Sequence, residues 1–232
     1  MNASIAARFR TPDERTVKTS LMKMSSQSDM LPLYDSDESE WFVYVLPLAG
    51  GAAFKVGFSC HPLQRFYAFT RRYFERFDLH RALLLRVTSC DDARRIEALL
   101  KASLAAYRAN APVWSLEAGG HTEWFRVDAF DEAEQLLGAQ IPTIEAAQLI
   151  DPLQHLHREL SRMSQTFAGW AYAQACQIRD AWEVADRGWP APYREAQTLR
   201  DWLDAYRFFD VSLLPDDPEM AEFIRRCAHV SA

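Results

Sequence analysis

The chain has 232 residues, of which 49% are hydrophobic, 12% aromatic and 25% charged. This is the usage of an ordinary soluble globular protein; it excludes a collagenous or wholly disordered chain, and the length allows one large domain or two small ones. The formal charge of −6 would argue against a nucleic-acid partner if it were spread evenly, but residues 55–108 carry eleven basic groups against five acidic ones.

The longest hydrophobic run, Trp41 to Leu48, already contains Pro47, so no membrane span is expected. The opening MNASIAARFRTPDERT lacks the apolar centre of a secretory signal. Cys60, Cys90, Cys176 and Cys227 stand alone with no CxxC spacing, which suits small buried hydrophobes in a reducing compartment. A cytoplasmic location is the resulting expectation.

Residues 1–38 are polar and rich in Ser, Asp and Glu, and read as a flexible lead-in. WFVYVLP and AFKVGF, separated by LAGGA, predict a β-hairpin. LQRFYAFTRRYFERF, after Pro62, has helical character, and DLHRALLLRV reads as a strand. Ser89 and Asp92 give a capping signal ahead of a helix over ARRIEALLKASLAAYRAN, in which Ile96, Leu99, Leu100, Leu104 and Tyr107 recur at core spacing. TEWFRV predicts a further short strand and DAFDEAEQLL a helix. From Pro142 onward four successive helices are predicted: IPTIEAAQLIDPLQHLHRELSRM, FAGWAYAQACQIRDAWEVADRGW, PYREAQTLRDWLDAYRFFD and PDDPEMAEFIRRCAHV. Trp170, Trp182, Trp189 and Trp202 are candidates for their core.

The expected architecture is therefore α/β. A small central antiparallel sheet of about three strands, flanked by helices, spans residues 39–140, and an all-helical region spans 141–232.

Val43-Tyr44-Val45, Lys55-Val56-Gly57, Arg65 eight residues after Gly57, Glu97 within ARRIEALL, and Glu123-Trp124-Phe125 occur in that order. This ordered set resembles the GIY-YIG endonuclease superfamily, especially its compact phage-type branch, whose second motif reads Lys-Ile-Gly and whose domain closes on Glu-Trp-Phe. The resemblance implies that Tyr44 orients or deprotonates a water, that Arg65 clamps the phosphate, and that Glu97 binds Mg2+ or Mn2+. It also gives Gly57 and Trp124 structural places in the motifs. Lys55 stands where most of the superfamily has tyrosine; its ammonium would touch the phosphate or lower the pKa of a nearby phenol. Tyr67 and Tyr73 are candidates for the family's His or Tyr beyond the arginine, and the late asparagine of many members has no match here.

Phosphodiester hydrolysis gives separate reasons for these residue types: a group that positions or deprotonates water, a cation opposite the phosphate charge, and a hard metal held by few carboxylates. Plainer roles exist for each. Tyr44 would serve as a packed strand aromatic, Arg65 as a surface arginine, Glu97 as a surface partner of Lys101, and Gly57 as a turn former. Arg71, Arg72, Arg94 and Lys101, interleaved with aromatic rings, are the expected nucleic-acid contacts. His61, His80 and His121 lack metal-ligand spacing, and His121 is the one whose loop is expected near the site.

The function expected is a metal-dependent DNA endonuclease. The alternative is a catalytically weak or inactive nucleic-acid-binding module on the same scaffold, with the helical region serving as a protein-interaction domain.

Overall fold

The computed structural model describes residues 40–118, 122–185, 192–212 and 218–229. The lead-in expected over residues 1–38, His121 and Trp189 lie outside the described residues.

β1 (Trp41–Pro47) and β2 (Ala53–Ser59) form the expected hairpin, with Gly51 in the turn at a φ of 67° that L side chains rarely adopt. α1 (Pro62–Phe69) starts on proline, and a single-turn α2 (Tyr73–Arg76) follows. β3 (Leu83–Val87) pairs with the other edge of β1. α3 (Cys90–Ser103) is capped as its sequence predicts, the Ser89 hydroxyl accepting from the Asp92 N–H at 3.1 Å. β4 (Trp124–Arg126) pairs with β2, and α4 (Phe130–Gly138) completes this part.

The sheet has five antiparallel strands in the order β4-β2-β1-β3-β5, not three. The unanticipated strand is β5 (Gln148–Ile150), inside a stretch read as helix and paired to β3. Two local features explain the difference: Pro142 lies in a 3-10 turn, and Ala146 takes a left-handed φ of 59°, which interrupts any helix just before the strand. β5 lies within residues 141–232, the stretch expected to be all-helical.

A second correction concerns the helices. The first two expected beyond Pro142 are one, α5 (Pro152–Ala185, 34 residues), which runs through Gly169 without a break. The Asp151 carboxylate caps its start, accepting from the Leu153 N–H at 2.8 Å. α6 (Tyr193–Phe208) and α7 (Pro218–Ala228) follow. Ala171, Ala175 and Ile178 of α5 pack with Ala196 and Leu199 of α6 and Ile224 of α7, with Trp170 and Trp182 against them. No helix among the described residues is long and apolar enough to cross a membrane.

Alternation along the strands separates two faces. Val43, Val45, Phe54, Val56, Leu85 and Val87 meet Ala93, Ile96 and Leu100 of α3 and Phe130, Ala133 and Leu137 of α4 in one core. Phe42, Tyr44 and Leu46 fall on the opposite face of β1 and are equally buried. There Tyr44 packs edge-on to Phe66 and Phe69 of α1, and Phe42 lies 4.6 Å from the ring of His155 on α5.

His155 is buried, its Nε2 has no hydrogen-bond partner, and its pKa is pushed down to about 4, first by burial and then by Arg158, Arg162 and Arg86. The unfolded chain takes up this proton near pH 6.5, so it holds more protons than the folded state between the two values. Stability should therefore fall as pH drops from about 6.5 to 4, by on the order of 3 kcal/mol from this group at about 1.4 kcal/mol per pH unit. Urea unfolding across that range should show a shallower fall for His155→Phe than for wild type; parallel curves would refute the assignment.

Candidate active site

β1 places Tyr44 opposite Gly57 of β2 and Leu84 of β3. Gly57 is needed because of the phenol: a Cβ at that position would stand 2.5 Å from Cζ of the Tyr44 ring and closer still to its hydroxyl. The ring cannot easily retreat, being held at 5.3 Å from Phe66 and 6.2 Å from Phe69. Gly57→Ala should cost about 1–3 kcal/mol by overpacking and displace Tyr44. Urea denaturation checks this, and an unchanged midpoint would contradict it.

Burial pushes the Tyr44 phenol well above its ordinary pKa. The charge of Arg65 and its hydrogen bond to Tyr44 oppose that rise, whereas Glu123 and Glu97 add to it. Arg65 reaches the phenol from α1, its guanidinium also lying 4.7 Å from the centre of the Phe69 ring.

Lys55 lies opposite Leu46 on one side and Trp124 on the other. It is fully buried, and its Nζ donates to Glu123 Oε2 at 3.0 Å, with the rings of Phe69 at 4.9 Å and Trp124 at 5.2 Å. Burial lowers the Lys55 pKa, and the Glu123 carboxylate works against that fall. The ammonium is thus held between two rings and one carboxylate, a buried charge with its partner.

Glu97, on α3, is 9% exposed. Burial raises its pKa; Lys101 lowers it, and Glu123 adds to the rise. Lys101, one helical turn beyond, lies 3.3 Å from Glu97 Oε2 and 3.7 Å from Glu123 Oε1, so one ammonium bridges two carboxylates. Tyr44, Lys55, Arg65, Glu97, Lys101 and Glu123 thus form one electrostatically linked cluster on four different elements and the loop before β4.

A family model described as the T5orf172 domain matches residues 39–139. The T5orf172 match spans β1 to α4, takes in all six side chains of the cluster, and covers less than half of the chain. It is consistent with a nuclease-like or DNA-binding module. No curated protein and no solved structure matches the chain.

Within the T5orf172-like segment, the expected nucleic-acid residues separate. Lys101 belongs to the cluster itself. Arg94 is exposed and pairs with Asp91 at 3.3 Å. Arg71 and Arg72 meet α6: Arg71 donates to the Thr198 hydroxyl, and Arg72 pairs with Asp201 at 3.0 Å and Asp204 at 2.9 Å as well as with Glu75. Beside them Tyr67 stacks on Trp202 at 4.6 Å. The ring of Tyr73 is wholly buried and its hydroxyl has no hydrogen-bond partner. Part of the positive block is therefore neutralised within the chain.

In the sequence Glu123 is one letter of the Glu123-Trp124-Phe125 motif; in the structure it joins Lys55 to Lys101 and Glu97. Its signal in the sequence is an acid directly ahead of a strand, alongside a strand lysine that burial obliges to find a carboxylate. Among the described residues no three His, Cys, Asp or Glu side chains gather as a metal cage. Two carboxylates that share one cation nonetheless suit a hard divalent ion that keeps most of its own waters.

Proposed function

We propose that the cluster around Tyr44 hydrolyses DNA phosphodiester bonds with the help of one hard divalent ion, magnesium or manganese. The observation that carries this reading is the convergence of Arg65 and of the Glu97–Glu123 carboxylate pair on one buried phenol. The T5orf172 match over the same residues and the resemblance of the ordered motifs to the GIY-YIG superfamily support it.

Glu97 and Glu123 would hold the ion, taking the place of the Lys101 ammonium between them. When bound, it would supply positive charge opposite the phosphate and acidify water. Arg65 stabilises negative charge on the phosphate, its guanidinium oriented by the Tyr44 oxygen and the Phe69 ring. Burial raises the Tyr44 pKa and Arg65 opposes the rise, which suits a phenol that orients Arg65 or a water. Lys55 fixes the Glu123 carboxylate from beneath and is shielded from solvent.

The second reading, a module that binds nucleic acid without turnover, draws on the Lys101 ammonium already placed between the carboxylates. Nicking of supercoiled plasmid separates the two. The full chain should nick in magnesium or manganese and not in EDTA, and Glu97→Ala should lose nicking in both metals. Retention of plasmid in a gel shift without nicking by wild type would favour the binding module.

A further inference from the structure

A second concave site lies away from this cluster and shares no residue with it. A cleft of about 530 Å3 opens between the first turns of α5 and the end of α6, within the range of about 300–1,000 Å3 usual for small-molecule sites. Its lining includes His80, His157, Arg158, Phe208, Phe209 and Asp210.

Two features of that lining define a ligand, and a third orients His157 beside it. Arg158 and Asp210, of opposite charge, border the same cleft, yet among the described residues neither forms an ion pair. Phe208, a large aromatic side chain, is 44% exposed beside the buried Phe209. The Nδ1 of His157 is engaged with the Phe209 carbonyl at 2.8 Å, which fixes the ring orientation and commits that nitrogen as a donor.

A ligand that meets Phe208, Arg158 and Asp210 must present a flat ring to the first, an anion to the second and hydrogen-bond donors to the third. A simple anion lacks the ring, and an unsubstituted aromatic acid lacks the donors. A nucleoside phosphate has all of them: base, phosphate, and sugar hydroxyls or exocyclic amine. We propose that this cleft binds a nucleoside phosphate, either free or as the phosphorylated end of a DNA strand. The proposal does not depend on cleavage at Glu97.

Isothermal titration of the full chain with adenosine 5′-monophosphate tests it, with a short 5′-phosphorylated DNA strand, adenosine and inorganic phosphate titrated in parallel. Arg158→Glu and Phe208→Ala alter exposed side chains and should leave the fold intact. The monophosphate, the strand or both should bind wild type, and each substitution should weaken binding about tenfold or more. Binding of the strand alone identifies a strand end as the source, and binding of the monophosphate alone a free nucleotide. The proposal is overturned if neither binds, if binding survives both substitutions, or if adenosine or inorganic phosphate binds as tightly.

Discussion

Replacing Glu123 with alanine is expected to destabilise the folded chain by about 3 kcal/mol, the lower end of the roughly 3–5 kcal/mol cost of breaking a buried ion pair. Lys55 is fully buried, and Glu123 holds its ammonium at 3.0 Å. Without that carboxylate the lysine keeps two aromatic faces and the weaker attraction of Glu97, which places the loss at the low end. Lysine escapes the penalty by losing its proton, so the sign of the pH dependence is fixed. The folded-state pKa of Lys55 already lies below its unfolded value, and the substitution lowers it further. The deficit should be larger at pH 7 than at pH 10, where the neutral amine is better tolerated. Glu123→Gln, which keeps an accepting oxygen, should lose less than alanine. Equilibrium urea unfolding at the two pH values measures each difference; a Glu123→Ala loss under about 0.5 kcal/mol, the scale of an ordinary surface change, would mean that Lys55 does not depend on this pair.

This pairing shows where the sequence could be read and where it could not. The β1–β2 hairpin, the Ser89 cap and α3 were legible because each is specified within a few residues, by alternation, a glycine turn or a capping box. The motif residues Tyr44, Lys55 and Glu97 sit on those elements and Arg65 on α1, and the structure brings the four together. The bond between Lys55 and Glu123 spans 68 positions and exists only through the register of β4 on β2. No local pattern encodes it.

The same reasoning applies to Arg71 and Arg72. Their composition suggests a solvent-facing basic patch, but what they meet is decided by α6, 127 to 132 positions away, whose Thr198, Asp201 and Asp204 lie against them. β5 shows no signal because three residues are too few to display a period, and the continuity of α5 is hidden by the polar Ser164-Gln165-Thr166 between the two expected helices, which resembles a connection. An added Cβ at Gly169 would meet nothing within 4 Å, so this glycine marks no turn and no close contact.

The central claim is that Arg65 and Glu97 serve one reaction at one centre. Single-turnover cleavage of a labelled DNA duplex at saturating protein tests it through wild type, Arg65→Ala, Glu97→Ala and the double substitution. Each single change should slow cleavage by about a hundredfold to a thousandfold, the usual effect of removing one preorganised charge-stabilising group. The double variant should be little slower than the worse single one, because groups that act as a unit are not additive. Single substitutions that leave the rate intact, or losses that multiply in the double variant, would contradict a shared centre.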